Sequence, residues 1–448
     1  MTPTLAAIRF GTGLAPEISP PADGAEVLAR LAGPDEAAAR IPIDGWEAAV
    51  ARALRFRALR RARDESGGKA PFRRLRDRLN AEYHRDLART LIRAAVTRDG
   101  MRERLHWFWA DHFSVVDANG IRRRTITAYH EDAIRPHMTG RFADLLHAAV
   151  AHPAMLNFLD QDRSAGPNSP RGRNGGVGLN ENLAREVLEL HTLGIGAPYG
   201  QTDIRELAEL LTGLGVDRKG AFAFRPRFVE PGAEVVLGRS YGGARPNRHA
   251  IRAVLDDLAV HPATARHVSR KLATHFVADT PEPSMIDAMI EVWRCSDGDL
   301  MKVYAAMLDH PDAASPELRK VRRPIDFMAA ALRVSGAGAA LIEARPQVLS
   351  DRLTTPLARM GQVWLRPPGP HGWPEEADAW ITPHGLAARL EWIAQWVGGL
   401  DPAPDPRDFV DVALGDLAGP RTRFAAQAAE DRQAGLGLIL SAPEFQRR

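Results

Sequence analysis

Apolar and polar positions repeat with the period of an α-helix along most of the chain. Stretches rich in Ala, Leu, Arg and Glu, with apolar residues three and four apart, cover 25–32, 45–65, 82–98, 100–113, 180–193, 202–214, 248–276, 284–294, 299–309 and 323–334. They continue through 350–361, 383–398, 406–416 and 422–441. Good helix formers fill them, and Gly or Pro stands at most of their edges. Period-two alternation is scarce. Ala221-Phe222-Ala223-Phe224 and Glu234-Val235-Val236-Leu237 predict one small hairpin-like excursion. The pattern predicts an all-α fold, a large multi-helix domain with a minor β-hairpin-like excursion near 221–237. The expected division is a main helical body over 1–335 and a helical C-terminal subdomain over 336–448 packed on it. Inside the main body, 163–178 is dominated by Gly, Pro, Asn and Ser and predicts a mobile loop, either a functional lid or a disordered segment.

Composition narrows the class. At 45% hydrophobic and 26% charged, the 448 residues carry enough apolar side chains for a sizeable core. No apolar run approaches the roughly 18 residues of a membrane span. A single cysteine, Cys295, excludes an internal disulfide and a cysteine-cluster metal site. The N-terminus has neither a basic region nor an uninterrupted apolar run, so the expected location is cytoplasmic.

The net charge is only +3, but fifty-four arginines stand against five lysines. One run (Arg52, Arg55, Arg57, Arg60, Arg61, Arg63, then Arg73, Arg74, Arg76, Arg78) has the composition of a phosphate-binding surface. Ala53, Leu54, Phe56, Ala58 and Leu59 interleave it, and Asp64 and Glu65 follow. That favours a solvated helix face over a nucleic-acid site. The breaker Ser66-Gly67-Gly68-Lys69-Ala70-Pro71 lacks the upstream Gly, the following Ser/Thr and the strand of a phosphate loop.

The most polar motif is Gly178-Leu-Asn180-Glu181-Asn-Leu-Ala-Arg185-Glu186-Val-Leu-Glu189-Leu-His191-Thr192-Leu-Gly194. On a wheel of 100° per residue, Leu183, Ala184, Val187, Leu188 and Leu190 fall on one side, with His191 among them. Glu181, Asn182, Arg185, Glu186, Glu189 and Thr192 fall on the other. The bland reading is a solvated stripe of i,i+4 ion pairs. The functional reading is a carboxylate cluster facing a cleft, able to act as acid and base or to hold a hard cation. His191, in the last turn before a capping Gly194, is either a core or capping histidine or a ligand. His112 shares a helix face with Phe108 and Trp109. It is either a buried histidine with one hydrogen bond or a general base oriented by Asp111 or Asp160. Asp160 ends an apolar segment and is equally suited to starting the loop. Lys271 is a surface lysine or a buried partner of one of these carboxylates. Gly372-Trp373-Pro374, after Pro367, Pro368 and Pro370, predicts a rigid turn whose Trp fills a core, with ligand stacking as the alternative.

Further segments accompany the glutamate-rich motif in order: Phe108-Trp109-Ala110-Asp111-His112-Phe113, His152-Pro153-Ala154-Met155 with Phe158-Leu159-Asp160, and Asp203-Ile204-Arg205-Glu206-Leu207-Ala208 with Leu211-Thr212-Gly213. Then come His261-Pro262-Ala263-Thr264-Ala265-Arg266, Arg270-Lys271-Leu272, Met360-Gly361-Gln362 and Gly372-Trp373-Pro374. Together they closely resemble the bacterial family called domain of unknown function 1800, from about Arg9 to beyond Trp380. The resemblance implies a mostly helical fold but no established chemistry, metal or cofactor. It also implies that many relatives are exported and that many are encoded near a sulfatase-like companion protein. This chain departs from the family pattern at Ala110, where a second histidine is common, and at Val229-Glu230-Pro231-Gly232, where the family has His-Asp-Pro-Gly.

The resulting expectation is an enzyme-like pocket for acid/base or metal-assisted hydrolysis of a polar substrate. Its catalytic candidates are Glu181, Glu186, Glu189, His112 and Asp160, and its binding candidates are Asn180, Arg185, His191, Asp111 and Lys271. The rival is a non-enzymatic scaffold or a partner of the sulfatase-like companion, in which the same residues form a structural ion-pair network.

Overall fold

The computed structural model describes residues 1–66, 69–116, 125–243 and 245–448, and leaves out the side chains of 63–66. Gly67 and Gly68 of the expected breaker and the Arg63 side chain lie outside the described residues. The longer helices are α1 (Gly24–Ala32), α2 (Trp46–Ser66), α3 (Lys69–Val96), α4 (Gly100–His112), α5 (Phe142–Val150), α6 (Asn182–Glu186), α7 (Gln201–Leu210), α8 (Arg248–Val260), α9 (Pro262–Phe276), α10 (Pro283–Cys295), α11 (Leu300–Asp309) and α12 (Pro324–Val334). They are followed by α13 (Pro383–Val397), α14 (Pro406–Leu414), α15 (Pro420–Ala428) and α16 (Arg432–Ser441). The fold is thus mostly helical. Its β-structure among the described residues is two small antiparallel pairs, β1 (Leu214–Val216) with β2 (Phe222–Phe224) and β3 (Gly232–Val236) with β4 (Arg239–Gly243).

Local chemistry explains most boundaries. The stretch 248–276 divides at His261, whose extended backbone (φ −63°, ψ 139°) is what a residue before proline adopts. Its ring then caps α9, as Nδ1 accepts from Ala263 N at 3.1 Å. The stretch 422–441 also divides, at an extended Ala429 and an Asp431 cap. α3 starts well before residue 82 because Phe72, Leu75 and Leu79 pack on Phe56 of α2. The Phe56 and Phe72 rings lie 5.0 Å apart, a small core separate from the main one. Arg55, Arg57, Arg60, Arg61, Arg73, Arg74, Arg76 and Arg78 are all exposed around it, as a solvated face requires.

The β-pairing differs from the sequence expectation. The segments at 221–224 and 234–237 do not pair with each other. Phe224 faces Leu214, and Val236 faces Arg239. Helix α7 stops at Leu210, and Gly213 (φ 91°) turns the chain so that 214–216 becomes the partner of β2.

One contiguous apolar core runs from Ala6 to Phe445. Helix α3 packs on α12, α9 on α10, α10 on α11, and α13 on α16. The 163–178 loop is hydrogen-bonded to neighbouring segments at several points. Ala165 N donates to Gly178 O (3.1 Å), Gly166 N to Phe228 O (2.9 Å) and Arg171 N to Arg227 O (2.9 Å). Asn168 gives both its backbone N–H and its side-chain amide to Glu230. No helix of the described residues is long and apolar enough to cross a membrane.

Candidate functional site

Helix α4 is buried on nearly every side, so its polar residues must find partners indoors. Asp99 caps its first turn through Arg102 N (3.1 Å). Glu103 accepts from Arg135 at 2.6 Å, and Arg135 also grips Asp35 with Nε at 2.5 Å. The same guanidinium donates to His106 Nδ1 at 3.3 Å. One turn further on, α4 presents Trp107, Ala110 and Asp111 to a cleft.

The opposite wall comes from Arg323 and Ile325 at the start of α12 and from Gln362 to Pro367 and Trp373. Ile43, Val115, Ile126, Thr127, His130 and Glu131 are among the other residues that line it. The cleft is narrow, with a volume of about 70 Å³. Asp111 lies in its wall. Its Oδ2 accepts from Arg323 Nη1 (3.1 Å) and its Oδ1 from Trp373 N (2.9 Å). The turn that brings Trp373 here requires Gly372: φ is 81°, and a Cβ would lie 2.7 Å from Asp111 O. Burial pushes the Asp111 carboxyl up to about 6, against the pull of Arg323, the Trp373 N–H and Lys271 and with the push of Glu375.

Behind Asp111 lies a buried network of charges. Arg323 also approaches Glu375 (3.5 Å) and Asp326 (3.7 Å). Asp326 meets Arg104 (3.4 Å) and Arg448 (3.3 Å). Glu375 accepts from His275 Nδ1 at 2.6 Å and lies 3.5 Å from Lys320, which is itself paired with Asp279 at 2.5 Å. Arg104 has only donors to offer, so His275 Nε2, 3.1 Å away, accepts from it and the His275 proton sits on Nδ1. Burial outweighs Glu375 and brings His275 down to about 4, leaving it neutral at pH 7. Burial alone would raise Glu375, but His275, Arg323 and Lys320 hold it well below the usual carboxylate range.

Of the residues singled out in the sequence, Asp111, His112, His191 and Lys271 share one neighbourhood. His112 is buried against Phe113 (4.6 Å between ring centroids) and Trp109 (5.3 Å), and its Nε2 donates to His191 O at 3.1 Å. Its ring centroid is 6.2 Å from those of both His191 and His267. Burial and the charge of Lys271 lower the pKa of His112 well below its ordinary value and bring His191 down to about 3. Both imidazoles are therefore neutral at pH 7. Burial lowers Lys271 as well, opposed by Asp111 and Glu375.

The acidic stripe lies elsewhere. Glu181, Arg185 and Glu189 form a half-buried ladder, with Arg185 3.4 Å from each carboxylate, and Gln201 donates to Glu181 at 2.8 Å. Glu186 is partly buried on the same flank; burial and Glu189 raise its pKa, against Arg185. None of the four lines the cleft. Thr192, placed by the wheel with this stripe, is fully buried. After α6 the chain widens into a π-helical turn over Val187–His191, and Thr192 Oγ1 donates back to Val187 O at 2.6 Å. Gly194 (φ 89°) closes the motif through Leu188 O. Asn180 braces the adjoining loop by donating to Leu159 O (2.9 Å). Asp160 is exposed in a left-handed turn (φ 54°), without a side-chain cap bond.

Sequence reasoning missed His106, Trp107, Arg323, Trp364 and Glu375. The Gly372-Trp373-Pro374 turn was a usable signal, because Trp373 is partly exposed and lines the cleft instead of filling a core. Among the described residues, Glu206, Glu209 and Glu234 place carboxylate oxygens within 4.8 Å of one another, a donor set suited to a hard cation. Burial, a hydrogen bond to Glu206 and the charges of Glu209, Glu206 and Glu230 push Glu234 up to about 8.

A comparison with family models matches residues 9–447 to the family described as protein of unknown function, DUF1800. No curated protein and no solved structure matches the chain. With nearly its whole length matched, the chain belongs to the DUF1800 family.

Proposed function

We propose that the cleft between α4 and the 362–373 segment is an active site for acid/base hydrolysis, with Asp111 as the general base. The observation that carries this reading is a carboxyl in the wall of a largely apolar cleft, raised by burial to about 6. At pH 7 such a group is mostly ionised yet close enough to neutrality to return a proton. Asp111 takes a proton from water as the water oxygen bonds to the electrophilic carbon of the substrate. The bond to the leaving oxygen or nitrogen then breaks, and that atom receives the proton. Arg323 and the Trp373 N–H hold the carboxylate in place, and His112, His191 and Lys271 back the same region. Glu181, Arg185, Glu186 and Glu189 enter only as a flank that fixes the bracing segment 178–194.

The test is turnover of a panel of ester and amide substrates by the full chain and by Asp111→Asn. The expected loss is about 100-fold or more. The wild-type rate should rise with pH through about 6, because the ionised form is the active one. Retention of the rate in Asp111→Asn, or turnover of no member of the panel, refutes the proposal.

A second reading is favoured by the charges behind the cleft. Arg104, Arg323, Arg448 and Asp326 are each at most 4% exposed. In this reading they serve as a structural lock in a non-enzymatic scaffold or a partner of a sulfatase-like companion protein. It predicts that disrupting the lock lowers stability while no ligand protects the protein from unfolding.

A further inference from the structure

A second cavity, of about 480 Å³, lies apart from the Asp111 cleft and shares none of its lining residues. Four segments enclose it: 15–18, 36–40, 95–98, and the end of α12 with the turn after it, 332–339. Its size falls within the roughly 300–1,000 Å³ of small-molecule sites. Pro16, Ile18, Val96 and Leu332 give it apolar walls, and Arg333 places a cation in them.

Arg333 is 6% exposed. Its Nε donates to Gly13 O (2.8 Å), and its Nη1 to Ala94 O (3.3 Å), Ala95 O (3.0 Å) and Thr97 O (2.7 Å). The Nη1 bonds cap the C-terminus of α3. A helix end supplies about half a unit of negative charge, against the whole positive charge of a guanidinium. Burial brings Arg333 down to about 10, so it is cationic at pH 7, and Arg30 adds to the fall. Burial lowers Arg9, Arg104, Arg322 and Arg389 as well, but in each of these a carboxylate (Asp312, Glu317, Asp326 or Glu375) opposes the fall. Arg333 has no such counter-charge among the described residues, and a buried charge calls for one.

The same side chain keeps a donor free, because Nη2 makes no hydrogen bond. The idle nitrogens of Arg9, Arg93, Arg104 and Arg448 are sealed from open space, and Arg333 Nη2 is not. The spaces that Arg333 borders are this cavity and an adjoining crevice of about 20 Å³, which shares Ile18 and Arg98 with it. Arg40 and Arg98 stand exposed in the cavity wall, as do Glu17 and Glu36, and none of the four forms an ion pair among the described residues. Three arginines against two glutamates leave one positive charge, which a single negative charge balances.

We propose that this cavity binds a small organic monoanion, a carboxylate with an apolar body, whose charged end meets Arg333 Nη2 while its body lies against Ile18, Val96 and Leu332. Arg40 and Arg98 at the wall draw the anion in. The site is separate from the hydrolytic reading of the Asp111 cleft and stands or falls without it.

The experiment is calorimetric titration of the full chain with phenylacetate, phenylacetamide and inorganic phosphate. The first two share a ring and nearly the same shape, and differ in charge. Wild type should bind phenylacetate about tenfold more tightly than phenylacetamide or better, the effect of a hydrogen bond between charged groups. Arg333→Gln should abolish that preference. Arg98→Glu, at an exposed position, tests the same site even where Arg333→Gln does not fold. It should weaken phenylacetate about threefold or more and leave phenylacetamide unchanged. Equal affinity of wild type for the two organic probes, binding of neither, tighter binding of phosphate than of phenylacetate, or an undiminished preference in either variant overturns the inference.

Discussion

Glu375→Gln isolates the charge at the centre of the buried network. Glutamine has nearly the same shape, and its amide oxygen still accepts from His275 Nδ1, so packing and that hydrogen bond survive. What disappears is one negative charge 3.5 Å from both Lys320 and Arg323, side chains that are 1% and 2% exposed. At an effective dielectric of about 20, each contact is worth about 5 kcal/mol before desolvation. Returning the carboxylate's own desolvation offsets much of that. Removing one partner of a buried pair costs about 3–5 kcal/mol. Asp279 still holds Lys320 and Asp111 still holds Arg323, which places the expected loss near the lower end, at about 3 kcal/mol. An unfolding entropy of about 2.1 cal/mol/K per residue over the 448 residues turns this into a fall of about 3 °C in Tm.

Scanning calorimetry at pH 7 measures the difference, and a pH series checks its cause. The folded-state pKa of Glu375 is depressed, so its contribution is complete above the unfolded value of about 4.3 and is lost as pH falls through the folded one. The gap between wild type and variant should therefore narrow as the pH is taken below about 4. A Tm change under about 1 °C at pH 7, or a gap that widens in acid, would falsify the electrostatic argument.

Three further outcomes follow from local geometry. His112→Leu keeps the aromatic packing but strands the buried His191 carbonyl. It should cost about 1–3 kcal/mol in urea unfolding at pH 8, and the gap should narrow as pH falls through about 6.5, because the unfolded wild-type imidazole takes up a proton there that the buried ring does not; an unchanged stability at pH 8 contradicts the assigned bond. Arg185→Ala removes two half-exposed pairs at 3.4 Å and should cost no more than about 1 kcal/mol, less in high salt; a loss several times larger means the ladder is structural in a way its exposure does not show. Gly166→Ala would place a Cβ 2.6 Å from Glu230 Cα, forcing the 163–178 loop off its anchor. Trypsin cleavage after Arg171 and Arg173 should accelerate, and an unchanged digestion rate counts against the close approach.

Helical periodicity alone located most of the elements because most of the interactions that define them are local. Pro262 and the His261 cap are adjacent in the chain, and Phe72 and Leu79 reach Phe56 across a single hairpin. Strand partners were not legible in the same way. Phe222 and Val236 have similar patterns, and only the left-handed turn at Gly213 and the closeness of Arg239 to Val236 decide what each pairs with. Thr192 misled the wheel because a π-helical turn shifts the register just before it.

In the candidate site, His112 stood out by sharing a helix face with two aromatics, Asp111 as the neighbour able to orient it and Lys271 as one of few lysines, and the structure places the three close together. Arg323 sits in a stretch with no motif of its own, and Glu375 follows the Gly372-Trp373-Pro374 turn without being part of it. Their significance comes from contacts with Asp111 and His275, which are 212 and 100 positions away. No local pattern encodes a contact of that span.

The Gly372 turn has one more consequence, for the order in which the molecule matures. One wall of the cleft is built by residue 131, whereas the facing wall arrives with residues 323 to 373. A growing polypeptide therefore emerges with Trp107 and its apolar neighbours bare, and they stay so until the last third of the chain folds back. A truncated or stalled product keeps that sticky half-groove open to chaperones and proteases. A closed cleft thus doubles as a certificate that synthesis has passed Trp373.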